Sequence, residues 1–268
     1  MNNKFVILVT FRNVERYIFN CLQSIKEQDY GNYKVILCND VSDDKTVEVV
    51  DKFIKGLSPK IKQRFFILDN KIQKWKIGNL IAGIQLYKDM NNFDLINFHG
   101  LENFTITNES IVVILDGDDW FANGSVLSKL NQVYNDTQCS MTYGSYMEFP
   151  AMIRGKFSKK LAPEVISQKL YKKIEWSTSH LVSFKIKLWD NIPQEYFVDW
   201  NNEPIKFAPD VATILPMLEL AGDKIQFIED ILYVYNADNP LNEHKVNADL
   251  QQRSEHWVRT KKVLDTLC

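Results

Sequence analysis

Three carboxylates, Asp116, Asp118 and Asp119, stand in the run Asp116-Gly117-Asp118-Asp119, directly after five apolar residues, Ile111-Val112-Val113-Ile114-Leu115. Acids this crowded repel one another unless a cation or ordered donors offset their charge. Their oxygens suit a hard divalent ion, Mg²⁺ or Mn²⁺, and such an ion in turn holds a diphosphate. Gly117 is expected to let the backbone turn tightly between the acids. The plainer alternative is an acidic strand-to-helix turn in which Asp119 or a neighbour caps a helix. An EF-hand is excluded, because Trp120 would occupy the fifth loop position and offers no oxygen.

The element that must deliver these acids is the apolar run before them. Five consecutive residues without a polar face need cover on both sides, as in a parallel sheet flanked by helices. Ligands bind at the carboxyl edge of such sheets, where the acids emerge. Residues 5–9 form a second all-apolar strand, ending at Thr10-Phe11-Arg12-Asn13, and residues 33–38 a third, running into Asn39-Asp40. A further strand is expected at 64–68 and a last one at 225–235.

Helical spacing joins these strands. Ile18, Cys21, Leu22 and Ile25 recur on one face, with Asn13 as an N-cap; Val47, Val50 and Ile54 lead to a close near Gly56. Ile77, Leu80, Ile81 and Ile84 make another helix, and Ser125 caps one carrying Val126, Leu127, Leu130, Val133 and Tyr134. Strand and helix alternate from residue 4 to 134, the pattern of a parallel sheet wound with helices on both faces. The polar stretch 91–110, with His99, is expected either to lengthen the preceding helix or to form a surface insertion. Residues 140–149 alternate loosely and read as an antiparallel, half-solvated strand rather than a buried one, and the lysine-rich stretch 150–185 as a mobile loop over the site.

The chain has 268 residues, 45% hydrophobic, with a formal net charge of −2 and a pI near 6.1. Near-neutrality gives no electrostatic case for nucleic acid or an anionic membrane as a partner, so any basic site has to be local. Cys21, Cys38, Cys139 and Cys268 lack paired metal-ligand spacing and read as reduced thiols, which places the protein in the cytoplasm. No apolar run reaches the ~20 residues of a transmembrane helix, and the run at 5–9 is too short for a signal peptide core.

Taken in order, Val9-Thr10-Phe11-Arg12-Asn13, then Asn39-Asp40-Val41-Ser42-Asp43-Asp44-Lys45-Thr46, then Gly78-Asn79, then Asp116-Gly117-Asp118-Asp119, resemble the motifs of a family 2 glycosyltransferase, the large inverting family of GT-A fold. The resemblance spans residues 4–235. It departs from the family at Thr10, which no proline precedes, and at Val41, where glycine is usual.

The resemblance implies an α/β GT-A fold, a Rossmann-like, mostly parallel sheet flanked by helices with a C-terminal acceptor-side region. It implies a nucleotide-sugar half at 1–135, an acceptor half at 136–235, and a tail at 236–268 that packs on the domain. The activity implied is inverting transfer of a sugar from a nucleotide-diphosphate donor, a UDP-sugar favoured, to a hydroxyl of a glycan, protein or lipid-linked acceptor. Mn²⁺ or Mg²⁺ is the implied cofactor.

Thr10, Arg12, Asp40, Asn79, Asp116 and Gly117 then line the donor site, and Asp118 holds the metal. Asp40 accepts from a nucleobase N–H or caps the following helix, and Arg12 meets a phosphate or pairs with Glu15. Asp116 contacts the ribose or a metal-bound water. His244 is a further metal ligand or a solvated surface residue. Inversion needs a carboxylate from a separate segment, and Asp210, at the start of an apolar helical stretch, is the candidate base or else an N-cap; Asp199 and Glu203 stand next.

Two other classes compete. A sugar-nucleotide pyrophosphorylase would carry a glycine-rich loop after the first strand, and Thr10-Phe11-Arg12-Asn13 has no glycine. A non-catalytic nucleotide-sugar-binding protein has no need of an intact acidic cluster.

Overall fold

The computed structural model describes residues 1–89, 107–242 and 246–267. Most of the polar stretch 91–110, with His99, and the candidate ligand His244 lie outside the described residues. The chain divides into two compact units, Met1–Gln132 and Val133–Cys268.

The first unit alternates β1 (Phe5–Phe11), α1 (Ile18–Lys26), β2 (Tyr33–Asn39), α2 (Thr46–Lys55), a short α3 (Pro59–Lys62), β3 (Phe65–Asp69) and α4 (Trp75–Asp89). β4 (Ile111–Asp116) and the short β5 (Trp120–Phe121) follow, and α5 (Val126–Thr137) leads into the second unit. The main strands lie in the order β3-β2-β1-β4, and each pairing among them is parallel. β1 and β2 are buried at every position, as strands without a polar face must be. Each buried Val, Leu or Ile of this sheet contributes about 1.5–3 kcal/mol of burial free energy.

The helices differ in detail from their sequence patterns. α1 begins at Ile18 and its N-cap position, Tyr17, makes no side-chain capping bond. Asn13 is drawn instead into the loop after β2: its N–H donates to Ser42 Oγ at 3.1 Å, and its Oδ1 accepts from Asp43 N at 2.9 Å. The Ser125 hydroxyl donates to Asn123 Oδ1 rather than capping α5. On α4, Ile77, Leu80 and Ile84 are buried, but Ile81 is 43% exposed.

The second unit contains β6 (Met141–Phe149), β7 (Ile153–Arg154), α6 (Pro163–Ser167), β8 (Ser183–Lys185), α7 (Ile186–Asp190), α8 (Pro209–Ala221), β9 (Ile225–Asn236) and α9 (Ala248–Thr260). β6 is antiparallel to β7 and β8 but parallel to β9. It is buried through its first six residues, contrary to the half-solvated strand expected. Its hydroxyls are satisfied inside: Thr142 and Ser183 hydroxyls lie 2.6 Å apart, and Tyr134 Oη is 3.0 Å from Ser183 Oγ. Polar alternation therefore marked internal pairing rather than a wet face.

The stretch expected as a loop at 150–185 is built from short elements. β7 and α6 occupy it, Ser158 bridges to Thr178, and Tyr171 is buried. α8 is buried along almost its whole length, including the Glu219 carboxylate. Lys172 Nζ lies 2.9 Å from Glu219 Oε1, both side chains nearly inaccessible. The same ammonium donates to the carbonyls of Lys261 and Lys262, and Glu219 Oε2 accepts from Leu264 N. This ion pair therefore straps the residues after α9 onto α8. Burial raises the Glu219 carboxyl above its ordinary value, against the opposing pull of Lys172.

Candidate functional site

The parallel register places a row of polar side chains at the carboxyl edge of the first unit's sheet. Thr10 on β1 faces Asp116 on β4, and Asn39 on β2 faces Asp69 on β3. Thr10 Oγ1 donates to Asp116 Oδ1 at 3.3 Å, and Asn39 Nδ2 to Asp69 Oδ1 at 2.8 Å. Lys76, from the first turn of α4, places its ammonium 2.8 Å from Asp116 Oδ2 with only 13% of its side chain exposed. The charge of Asp116 is thus offset within the protein. Lys76 escaped the sequence reading, because nothing in the local pattern links a helix start to an acid forty residues later.

Asp40 does not cap the helix that follows it. Its two oxygens accept the amides of Lys74 at 2.7 Å and Trp75 at 2.9 Å, at the start of α4. The carboxylate is 5% exposed. First-turn amides have no partner within the helix, and a carboxylate there is favoured by both hydrogen bonding and the helix dipole.

Asn79 is 1% exposed. Its Oδ1 accepts from Asn70 Nδ2 at 2.6 Å, and its Nδ2 donates to the carbonyl of Trp75 at 2.7 Å. Asn70 Nδ2 also donates to the carbonyl of Asn39. Asn79 is therefore a buried brace that ties α4 to the end of β2.

Within the acidic run, Asp118 is partly exposed and Asp119 is 1% exposed, its N–H donating to the Asp116 carbonyl at 3.0 Å. Gly117 has no left-handed backbone. Glycine is required for space instead: a Cβ there would lie 2.4 Å from Phe11 Cβ and 3.2 Å from Ile18 Cδ1. Arg12 is exposed, and no ion pair to it occurs among the described residues. Glu15 accepts the Lys45 amide at 2.9 Å, so the Arg12–Glu15 alternative is not realised.

Three rim residues hold left-handed backbone: Asn13 at φ 54°, Val41 at φ 62° and Trp75 at φ 59°. For a β-branched residue this is a strained conformation, of the kind that concentrates at binding sites. Beneath them Cys38 and Cys21 are buried. Burial and then Asp40 push the Cys38 thiol up to about 12; burial and then Asp119 push Cys21 well above its ordinary value. Both are neutral thiols without nucleophilic character.

In the second unit, Asp210 lies in the first turn of α8, after Pro209. The N-cap position is Ala208, in left-handed backbone at φ 53°, so Asp210 is not the cap. Asp199 Oδ1 accepts the amides of Asn201 and Glu203, closing a local turn. Among the described residues, no group of three or more His, Cys, Asp or Glu is gathered as a metal cage.

Residues 6–89 match the family model for glycosyl transferase family 2. Over 67 residues the chain is 42% identical to a teichoic acid poly(glycerol phosphate) polymerase of Staphylococcus epidermidis, covering 25% of this chain and 9% of that protein. Over 241 residues it is 22% identical to glycosyltransferase GlyA of Streptococcus pneumoniae, covering 88% of this chain and 31% of that one. The chain thus spans a third or less of the length of these relatives.

Among solved structures it superposes on S. aureus TarS 1-349 in complex with UDP-GlcNAc with a TM-score of 0.62 at 15% identity, covering 88% of this chain and 59% of that one. Mannosyltransferase PcManGT from Pyrobaculum calidifontis, in complex with GDP-Man and Mn²⁺, gives a TM-score of 0.57 at 17% identity, covering 91% and 59%. Over residues 6–89 the chain is similar to glycosyl transferase family 2, and its architecture is the GT-A fold of these neighbours.

Proposed function

We propose that this chain transfers a sugar, with inversion, from a nucleotide-diphosphate donor, a UDP-sugar first, to a hydroxyl of a glycan, protein or lipid-linked acceptor. The observation that carries this reading is the polar row at the carboxyl edge of the sheet, with Asp40 fixed by two amides and Asp116 offset by Lys76. The resemblance to TarS bound to UDP-GlcNAc supports the choice of donor.

Asp40, clamped in place, keeps lone pairs for a nucleobase N–H. Thr10 and Lys76 orient Asp116 towards the ribose, and the exposed guanidinium of Arg12 suits a phosphate. Gly117 serves by close packing, and Asn79 by holding the start of α4.

The residues present fit a divalent ion that arrives with the diphosphate. Ions of the Mg²⁺ class are held by one or two carboxylates plus substrate phosphates rather than by a protein cage. Asp118, partly exposed, is the carboxylate to hold it, with His244 as a second candidate. When bound, the ion neutralises charge developing on the leaving diphosphate.

Asp210 takes the acceptor proton as general base. Buried free cysteines accord with work in the reducing cytoplasm, and no helix among the described residues is long and apolar enough to cross a membrane.

Incubation with a panel of UDP- and GDP-sugars and Mn²⁺, scored by donor hydrolysis, tests the reading. Asp118→Asn should lose most activity, and full activity of that variant in EDTA removes the metal. Asp210→Asn should bind donor normally and lose roughly 10²–10⁴-fold in turnover; near-wild-type turnover moves the base elsewhere.

A further inference from the structure

The β6–β7 hairpin and the turn after it present apolar and cationic side chains side by side. Phe149, Met152, Ile153 and Phe157 are 37%, 59%, 56% and 47% exposed. Residues 149–160 contain Arg154, Lys156, Lys159 and Lys160 and no acid, in a chain whose net charge is −2; the one carboxylate of the β6–β7 pairing is Glu148, opposite Ile153. The three lysines are exposed, and among the described residues none forms an ion pair. Lys156 Nζ sits 5.1 Å from the centre of the Phe157 ring.

This surface is held rigidly. Met147 and Glu148 pair with Arg154 and Ile153, Met152 N donates to Glu148 O at 2.7 Å, and Gly155 N to Tyr146 O at 2.9 Å. Gly155 permits that approach, since a Cβ there would meet the Tyr146 ring at 2.0 Å. The Arg154 guanidinium donates to Ser145 Oγ and to the Glu229 carbonyl, pinning the hairpin to its sheet. Ser158 Oγ donates to the Gly144 carbonyl just beyond it. The fold thus holds Met152, Ile153 and Phe157 largely in water, a cost that self-association or a lipid surface removes.

We propose that this hairpin seats the protein on an anionic membrane surface. Phe149, Met152, Ile153 and Phe157 enter the boundary between headgroups and acyl chains, while Lys156, Lys159 and Lys160 meet lipid phosphates. Lysines favour lipid over a protein partner, because protein interfaces are depleted in lysine whereas anionic headgroups attract it. The rigid backbone means that little ordering entropy is lost on docking.

The test is cosedimentation of the full chain with sucrose-loaded vesicles of phosphatidylcholine, with and without phosphatidylglycerol. The protein is expected to pellet only with the anionic vesicles, and less so as salt rises. Two combined variants, Lys156→Gln/Lys159→Gln/Lys160→Gln and Met152→Ser/Ile153→Ser/Phe157→Ser, should each lower vesicle affinity about tenfold or more. Both change exposed residues only, so their thermal midpoints should match the parent. Binding to neither vesicle, or undiminished binding of both variants, overturns the proposal. So does a concentration-dependent dimer, seen by sedimentation velocity without lipid, that the serine variant abolishes while vesicles bind nothing. No sugar donor enters the assay, so a negative result leaves the transferase reading standing.

Discussion

The Asp40 carboxylate spans the first two amides ahead of the body of α4, accepting Lys74 N at 2.7 Å and Trp75 N at 2.9 Å. A residue read for its ligand chemistry is thus also the fastening between β2 and the helix that carries Lys76. Asp40→Asn leaves one acceptor oxygen for two donors, and a bond to a charged group is worth about 1.5–3 kcal/mol. The expected outcome is a stability loss of about 1–2 kcal/mol, together with weaker UDP binding, read by thermal denaturation and titration calorimetry. Unchanged stability would show that the amides find another acceptor.

The Lys76–Asp116 pair makes a separate prediction. Replacing Lys76 by Met keeps the stem and removes the charge, leaving Asp116 without its counter-ion beside Asp118 and Asp119. An approaching diphosphate then meets uncompensated negative charge. UDP affinity should fall about tenfold, equivalent to about 1.4 kcal/mol, with a steeper dependence on added Mg²⁺ than in the parent. Equal affinity of Lys76→Met and the parent at every Mg²⁺ concentration would remove Lys76 from the site.

Gly117 offers a purely steric test. Its missing Cβ would lie 2.4 Å from Phe11 Cβ, an atom anchored in β1. Gly117→Ala should therefore force β1 and the turn after β4 apart and cost about 1–3 kcal/mol, visible as a lower urea midpoint with an unchanged slope. A neutral substitution would show that the turn after β4 yields.

Lys34 gives a pH signature away from the site. It is 6% exposed and donates to the Gln63 carbonyl at 3.1 Å. Burial, with the nearby Arg64 guanidinium, lowers it from 10.5 to about 8. Between pH 8 and 10.5 the folded state therefore binds fewer protons than the unfolded chain, so stability rises with pH across that window. Below pH 8 the buried charge is a burden worth up to about 3 kcal/mol. Lys34→Met should add about 1–2 kcal/mol at pH 7, less than the full burden because Gln63 loses its donor. The gain should vanish by pH 10.5 in denaturation series run at both values; a gain independent of pH would assign it to packing.

The sheet was legible because runs such as Ile111-Val112-Val113-Ile114-Leu115 have no polar face, which permits one placement only. The acids at its edge followed from where those runs stop. β6 was misread because Thr142 and Ser145 find partners inside, and alternation alone does not tell an internal hydroxyl pair from a solvent face. Lys76, the Asn70–Asn79 brace and the two amides held by Asp40 depend on contacts between distant segments, which no local period encodes. Val41 stands where the family pattern carries glycine, and its φ of 62° is a conformation that favours glycine.

That left-handed bend, shared by Asn13, Val41 and Trp75, bears on how this chain would respond to selection. Exchanging Val41 for glycine should relieve a left-handed penalty of about 1–2 kcal/mol, so a screen for heat resistance would find it readily. The same exchange returns to the rim the freedom that valine removes, and a ligand must then order what folding had already ordered. On the proposed function, Val41→Gly is expected to raise thermostability while weakening nucleotide affinity, so variants enriched for the first should drift in the second.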